Sequence, residues 1–510
     1  MKSHSFKKQF PLNLLSNIAY FIVNVVIGIW LVPYFIRHLG AAGYGLIALA
    51  VSVTGYVSLV KISFNSAAAR FLTIDIQKKD FLGANRIFNT TFWSFGGLSL
   101  ALIPVLAIFA YFVPSIFSVP EGLSSQVSWL FFLVFLSFVI TIFSSVFNAS
   151  LFAQNRLDLR NMVDISYVGA RTFFVVLLFA LFTANLNKVG LAYLLGALCS
   201  LAFSVYLWKK TAPGLFISIK DYDKTKLKDI LGMSGWLLIN QIGALLFLQI
   251  DLILCNVLFG ALIAGQYAAV ILWNVLLRSM AGVFSSVFNP MQLISHANDD
   301  RKRLVSMSQR AVKFMALGMA IPVGLLCGFA KPILVYWLGV DYIPYVPLMW
   351  IFVSHLAINL AVIPLFGINV ALNKVRFPAL VTVALGVCNI ILAVMLAKYT
   401  GLGVFGIAVA GAIVLTLKNV FFTPFYAAHI LGISKWTFIK PMGIGVMAMA
   451  GVGTTAIMIE RMFPAPNLFI FVGYVLSISL VAAMIVWFSG IDTAERKLLL
   501  SFLGRGKKNV

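Results

Sequence analysis

Charged side chains, and acidic ones above all, are scarce in this sequence. Only 10% of its 510 residues are charged and 61% are hydrophobic, and 15 Asp and Glu stand against 38 Lys and Arg. Soluble domains are about 45–50% apolar and about 25% charged, so a soluble protein is excluded. The formal net charge of +23 would suggest a nucleic-acid partner in a soluble protein, but the positions of these cations indicate a different origin.

Cysteines and catalytic motifs are also scarce. The four cysteines, Cys199, Cys255, Cys327 and Cys388, stand singly in apolar segments without C-x-x-C spacing, which argues against a metal site or disulfides. We interpret them as small packing residues. The sequence has no H-E-x-x-H, Walker or nucleophile-elbow motif, and the tail Gly504–Lys508 is basic without being a P-loop. An enzyme is therefore not expected.

Long apolar runs fill most of the chain, and a spanning helix needs about 20 apolar residues. We expect about fourteen transmembrane helices and no soluble domain. The first run lacks a cleavage site of small residues and is interpreted as a retained helix. The runs are 11–35, 43–63, 89–112, 128–150, 161–183, 188–208, 231–256, 264–289, 312–335, 346–369, 377–397, 402–426, 441–462 and 467–489.

The positions of the cations predict the orientation. With the N-terminus in the cytoplasm, the terminal segments and even-numbered loops hold 29 Lys and Arg and the odd-numbered loops hold five. Cytoplasmic loops carry such an excess, so both termini are expected in the cytoplasm. The net charge is then mainly a topology signal with some attraction to anionic lipid, and no nucleic-acid partner is expected.

The chain also repeats itself. An offset of 223 residues aligns Leu14–Asn17 with Leu237–Asn240 and Tyr44 with Tyr267, and Asn155-Arg156 later parallels Asn373-Lys374. Two parallel six-helix repeats around a central cavity are a recurrent transporter architecture. We therefore expect an all-α polytopic membrane protein of two six-helix bundles plus two C-terminal helices. The predicted divisions are an N-terminal bundle (1–208), a basic inter-bundle loop (209–229), a second bundle (230–430), a helix pair (431–489) and a basic tail (490–510).

Short motifs in both halves resemble one transporter family. They are Asn17…Asn24…Pro33…Leu39-Gly40…Gly43-Tyr44-Gly45, Gln249-Ile250-Asp251…Gly260…Gly265-Gln266-Tyr267-Ala268-Ala269, and Asn155-Arg156. With the trailing helix pair, the chain resembles the polysaccharide-transport branch of the multidrug/oligosaccharidyl-lipid/polysaccharide exporter superfamily. The resemblance implies a flippase in the bacterial plasma membrane that moves an undecaprenyl-pyrophosphate-linked oligosaccharide outward for O-antigen (lipopolysaccharide), capsule or exopolysaccharide synthesis. As further partners, the resemblance implies a polysaccharide polymerase and a chain-length regulator.

Four cations inside the apolar runs are the candidate anion-binding groups: Arg171, Arg278, Lys418 and Lys61. An ionisable residue at membrane depth usually faces a cavity or a partner, and the planar fork of Arg suits pyrophosphate. Two roles remain open for each of them. The side chain either lines the cavity, or it pairs with another group of the protein or snorkels to the membrane interface. Asn17, Asn24, Asn240 and Gln241 are candidates for binding sugar hydroxyls or, alternatively, for hydrogen bonds between helices.

Asp251 is the candidate for coupling to Na⁺ or a proton, with the holding of an intramembrane cation as the alternative. Arg70, Arg310 and Lys313 lie just inside the predicted cytoplasmic mouth, where they either attract the incoming head group or serve only as topology signals. No metal or cofactor is expected.

Two other transporter functions remain alternatives. A drug or cation antiporter of the same superfamily would favour carboxylates in its cavity, whereas the cations here exceed the intramembrane carboxylates Asp164 and Asp251. A lipid II flippase for peptidoglycan would carry a similar polyprenyl pyrophosphate, and electrostatics do not separate it from the first interpretation.

Overall fold

A computed structural model of the chain describes residues 6–286, 288, 292, 295–296, 300–493 and 495–496. Within the helices, the side chains of residues 6–8, 10, 57–64, 66, 233–241, 244 and 248 lie outside this description. Three predicted site residues are affected, because the side chains of Lys61, Asn240 and Gln241 fall in these segments.

Helices form nearly the whole of the described chain, which confirms the all-α prediction. They are α1 (Phe6–Gln77), α2 (Phe81–Ile116), α3 (Ser124–Ala153), α4 (Leu157–Leu181), α5 (Leu186–Thr211), α6 (Lys224–Leu248), α7 (Ile250–Ser285), α8 (Arg301–Gly328), α9 (Ala330–Leu338), α10 (Val346–Ser354), α11 (Leu356–Asn359), α12 (Ile363–Ala371), α13 (Arg376–Tyr399), α14 (Val404–Leu417), α15 (Thr423–Leu431), α16 (Ile439–Met462) and α17 (Leu468–Ile485). Short 3₁₀ segments cover Ile219–Asp221 and Val340–Tyr345, and π-helical segments cover Lys418–Phe422 and Val486–Gly490.

Twelve helical segments of the described residues are long and apolar enough to cross a membrane. The longest, Pro11–Tyr56, has 46 residues. At 1.5 Å per residue it extends about 69 Å, more than twice the roughly 30 Å thickness of the hydrocarbon core. Leu245–Ser285, with 41 residues, is nearly as long. Both lengths suit two crossings joined at a kink, and the predicted count of fourteen stays a prediction.

Each long helix kinks at a glycine of the proposed repeat. Gly40 in α1 has φ 72° and ψ 168°, and Gly260 in α7 has φ 86° and ψ 173°. This backbone conformation is open to glycine and strained for other residues. A second pair behaves alike, because Asn155 and Asn373 both take left-handed backbone, with φ 59° and 53°. The repeat recognised in the sequence thus has matching backbone conformations.

Several helices extend beyond the predicted apolar runs. α1 continues to Gln77, so Arg70 lies within the helix, and Arg310 and Lys313 lie within α8. A helix satisfies its backbone hydrogen bonds wherever it lies, whereas apolar composition marks only the part at membrane depth. In contrast, the run 346–369 is broken into α10, α11 and α12. Pro364 lies in the first turn of α12, where its missing N–H is tolerated.

By their internal contacts, the residues form two compact units. Unit 1 comprises Met1–Ala269 with Ala379–Ile407, and unit 2 comprises Val270–Pro378 with Ala408–Val510. In unit 1, Phe88 stacks on Trp208 with ring centroids 5.3 Å apart, within a core that joins α1, α2, α3, α5 and the start of α6. In unit 2, α16 packs closely on α8, since a Cβ at Gly324 would lie 2.8 Å from the Met449 carbonyl oxygen. Such small residues permit close helix packing in membranes.

The predicted basic loop 209–229 is anchored to α2 by buried polar side chains. The Asn89 amide donates to the Phe216 carbonyl (2.8 Å) and accepts from the Ser218 N–H (2.7 Å). Asn85 accepts from the Phe216 N–H at 3.0 Å. Asp223 then caps α6, and the N–H groups of Lys226 and Thr225 hold the pKa of its carboxyl below the usual range. The loop is therefore a fixed part of unit 1.

Candidate functional site

In unit 1, Arg171 lies among aromatic side chains. Its guanidinium carbon is 4.8 Å from the ring centroid of Tyr193 on α5 and 5.6 Å from that of Tyr167, one turn earlier on α4. Gly196 makes this approach possible, because a Cβ there would lie 2.9 Å from the Arg171 backbone nitrogen. The Nε atom of Arg171 is buried without a hydrogen-bond partner. The aromatic rings therefore orient the guanidinium of Arg171, and its Nε–H group can donate a hydrogen bond to a ligand.

Asp164 is seven residues from Arg171, too far along α4 for a direct bond, as expected from the helix rise. Tyr20 on α1 interacts electrostatically with both Asp164 and Arg171. Tyr20, Tyr167 and Tyr193 were not predicted from the sequence, because tyrosines in an apolar run look like ordinary packing residues.

The two asparagines predicted on α1 have local partners. Asn17 accepts a hydrogen bond from the Asn161 amide of α4 at 2.5 Å, and Asn161 also donates to Ser16 at 2.9 Å. Asn24 donates to the Tyr20 carbonyl at 2.8 Å within α1. Asn17 thus makes the hydrogen bond between helices that was the alternative to sugar binding, and Asn24 remains beside Tyr20.

Asp251 is buried, and it contacts a tyrosine that lies on the other side of the kink in α7. The Tyr267 hydroxyl donates to its Oδ2 atom at 3.3 Å, and Gly260 lies between the two residues. Tyr56 of α1 also interacts with this carboxylate. Asp251 is only 6% exposed, so an ion that reached it would replace or rearrange the contact with Tyr267.

In unit 2, Arg278 is held by a short chain of hydrogen bonds. Its Nε donates to the Asn274 Oδ1 at 2.6 Å, and the Asn274 amide donates to the Phe352 carbonyl at 2.6 Å. Asn274 lies one turn before Arg278 on α7, so the bond fixes the arginine along its own helix. The Phe352 contact ties this turn to α10, just before that helix ends.

Lys418 is the second cation of this region. It begins the π-helical segment between α14 and α15, and its Nζ lies 5.8 Å from the ring centroid of Phe366. Lys418 and Arg278 interact electrostatically as like charges. Short π-helical segments occur frequently at functional sites. We define Arg278 and Lys418, which are both half-buried, as the cation pair of unit 2.

A polar chain that sequence analysis missed adjoins the cation pair. His355 occupies the break between α10 and α11, and its Nδ1 lies 2.6 Å from the Asn359 amide nitrogen. Asn359 Oδ1 accepts from Asn419, the neighbour of Lys418, at 2.9 Å, and Asn419 Oδ1 accepts from Thr423 at 2.9 Å. The sequence feature that could have revealed this chain is a histidine and several amides within apolar runs. Such polar residues raise the free energy of a membrane-spanning helix and are often functional.

The predicted entrance cations have different surroundings. Arg70 is exposed near the end of α1, and Arg310 is half-buried in α8. Lys313 forms an ion pair with Glu495, with 2.7 Å between Nζ and Oε2, and Glu495 is 4% exposed. This pair fastens the segment after α17 to α8. In the part of the chain that the structure describes, no group of three His, Cys, Asp or Glu could hold a metal ion.

Comparison with known families and proteins gives two sequence matches. Residues 12–296 match the family described as polysaccharide biosynthesis protein. The chain is also 34% identical over 442 residues to the uncharacterized membrane protein EpsK of Bacillus subtilis (strain 168), covering 87% of each chain.

Solved structures with a similar fold are transporters. A lipid II flippase, MurJ, in an inward closed conformation has a TM-score of 0.65 at 14% identity and covers 92% of this chain and 97% of its own. An inward-facing multidrug resistance transporter of the MATE family in the MOP superfamily has a TM-score of 0.62 at 16% identity, covering 87% and 99%. At these identities the likeness concerns the fold alone.

Proposed function

This chain belongs to the polysaccharide biosynthesis protein family, and we propose that it is a flippase for an undecaprenyl-pyrophosphate-linked oligosaccharide. The substrate would move to the outer leaflet of the bacterial plasma membrane by alternating access, for O-antigen, capsule or exopolysaccharide synthesis. Membership confirms the family resemblance found in the sequence. The transporter fold of a multi-span membrane protein agrees with a transporter rather than an enzyme.

The observation that carries the proposal is the cation pair of unit 2. Arg278 and Lys418 lie close enough to interact, and both belong to segments that are apolar enough to cross a membrane. Placing like charges together at membrane depth is unfavourable. A bound pyrophosphate diester carries two negative charges and would relieve this repulsion, with the Arg278 fork donating to its oxygens. A cationic drug would meet the opposite effect.

Arg171 supports the same substrate through unit 1. Its guanidinium has an unused buried donor and lies beside tyrosine rings. A phosphate oxygen would satisfy the donor, while tyrosine rings and hydroxyls suit the apolar faces and hydroxyl groups of a sugar. We assign Arg171 to substrate binding, with Tyr20 and Asn24 as neighbours for sugar hydroxyls.

We assign to Asp251 the coupling of transport to an ion gradient. The coupling ion would replace the hydrogen bond from Tyr267. A Na⁺ ion or a proton at this carboxylate would compete with the Tyr267 hydroxyl across the Gly260 kink. Replacing Asp251 with Asn keeps an acceptor and removes the charge. Transport that stays equally dependent on an ion gradient in Asp251→Asn would overturn this assignment.

Because this chain shares its fold with a lipid II flippase, peptidoglycan precursors are a second candidate substrate. The two substrates share the polyprenyl pyrophosphate, so the glycan decides between them. A cation antiporter, the function suggested by the multidrug resistance transporters of this fold, is disfavoured by the cation pair.

A deletion strain tests the proposal in cells. We expect loss of surface polysaccharide, with the lipid-linked glycan retained in the inner leaflet and peptidoglycan synthesis unaffected. Complementation with the intact gene should restore export, whereas Arg171→Ala and Arg278→Ala should not. Normal surface glycan and a normal leaflet distribution, in a strain without a second exporter, would refute the proposed function.

A further inference from the structure

His355 is the one titratable group in the polar chain beside the cation pair. It lies at a helix break, one turn after Phe352, whose carbonyl receives the Asn274 amide that also holds Arg278. On its other side the chain leads through Asn359 to Asn419, next to Lys418. His355 is half-buried, and its protonation requires a path for a proton from solvent. The charged groups that face this region are Arg278 from α7 and Lys418 from the π-helical segment.

The hydrogen-bond directions in this structure correspond to the neutral form of His355. Thr423 donates to Asn419 Oδ1, and Asn419 Nδ2 donates to Asn359 Oδ1. Asn359 therefore presents its NH₂ group to His355, and an amide nitrogen is only a donor. Nδ1 must then act as the acceptor, with the ring proton on Nε2. The positive charge of Arg278 also opposes a charge on the His355 ring.

Every member of this chain can reverse its direction. If Nδ1 gains a proton, the Asn359 amide can turn to accept it through Oδ1. Asn359 would then donate to Asn419, and Asn419 would donate to the Thr423 hydroxyl, which can rotate to accept. Asn and Thr side chains carry both donors and acceptors, so the reversed chain keeps the same number of hydrogen bonds. The geometry thus accommodates both protonation states of His355.

We infer that His355 is a conditional third cation of this anion site, which takes up one proton from solvent when a pyrophosphate diester binds and returns it on release. The inference rests on the proposed function, because a bound dianion supplies the charge that makes the protonated ring favourable. Binding and protonation are linked reciprocally, so low pH must strengthen anion binding as much as the anion strengthens protonation. The proton offsets one of the two negative charges that enter the site.

Titration calorimetry on the purified full-length protein tests the inference. The probe is a short-chain polyprenyl pyrophosphate N-acetylglucosamine, a diester whose own charge does not change near neutral pH. We expect proton uptake approaching one per bound probe, obtained from binding heats in buffers of different ionisation enthalpy. Between pH 8 and pH 6 the Kd should fall, by up to about tenfold per pH unit where the linkage is steepest.

His355→Asn keeps a side chain that can hydrogen-bond Asn359 and removes the titration. It should bind the probe with a Kd that no longer depends on pH, while His38→Asn, at an exposed histidine of α1, should behave like the wild type. A wild-type Kd that is independent of pH, without proton uptake, would overturn the inference and leave the proposed function intact. An unchanged pH dependence in His355→Asn would do the same. Absence of probe binding would instead count against the proposed function, and the inference would fall with it.

Discussion

Gly45 of α1 and Gly265 of α7 meet in direct backbone contact. A Cβ at Gly45 would lie 2.6 Å from the Gly265 nitrogen, and a Cβ at Gly265 would strike the Ala41 carbonyl oxygen. Each glycine follows the kink of its own helix by five residues, at Gly40 and Gly260. The two long helices therefore touch in unit 1 at places that lie equally far beyond their kinks.

We expect Gly265→Ala to destabilise the protein, because the backbones of α1 and α7 would have to separate. Overpacking of this kind typically costs about 1–3 kcal/mol. Gly282, on the same helix, has open space around it, so Gly282→Ala should be neutral or stabilising by up to about 1 kcal/mol. Thermal unfolding in detergent compares the two variants. Equal melting temperatures would show that the glycine contact is not restrictive.

The cation assignments predict selective losses of transport. Arg278→Gln and Arg171→Gln should each lower the translocation rate by about ten- to a hundredfold, the effect of losing about 1.4–2.7 kcal/mol of charged hydrogen bonding. The corresponding lysine variants should retain part of the rate, since they keep charge but lose the fork. Arg37→Gln, at an exposed position, is the matched control. Full activity in Arg278→Gln would remove it from the substrate site.

The anchored loop predicts a local effect of Asn89→Ala. This change leaves the Phe216 carbonyl and the Ser218 N–H without their partner, at about 0.5–1.5 kcal/mol for each part-buried hydrogen bond. Chymotrypsin should then cut within 212–223 faster than in the wild type. Lys220→Ala, an exposed change on the same loop, should leave the cutting rate unchanged. Equal protection in all three proteins would mean that the side chain of Asn89 does not anchor the loop.

The ion pair between Lys313 and Glu495 separates two roles for Lys313. If it fastens the segment after α17, Lys313→Met and Glu495→Gln should each lower stability, by about 1–3 kcal/mol for a partly buried pair. The double variant should lose less than the sum of the two, as measured by a double-mutant cycle. If Lys313 instead attracts the head group, Lys313→Met should raise the KM for transport while Glu495→Gln lowers it.

The sequence predicted the features that are repeated along the chain and the charged residues that lie within apolar runs. Gly40 and Gly260 lie in the gaps between predicted apolar runs, and Arg278 and Lys418 stood out as charges within such runs. His355 was missed because the run around it looked continuous, and only the structure shows the helix breaking there. Asn85 and Asn89 were missed because their partners are more than a hundred residues away. Local sequence patterns hold no information on such contacts. An amide in an apolar helix could equally well pack against a neighbouring helix as anchor a loop.

Translocation by the purified protein in proteoliposomes tests the central claim most directly. A lipid-linked oligosaccharide with a lectin-binding terminal sugar is placed in both leaflets, and external lectin captures whatever reaches the outer one. We predict that the wild type makes the whole pool accessible with time. Arg278→Gln vesicles should remain near the half that starts outside over the period in which the wild type finishes, because their rate is about ten- to a hundredfold lower. Wild-type vesicles that also stop at half, from a folded protein that binds the same lipid, would contradict the account.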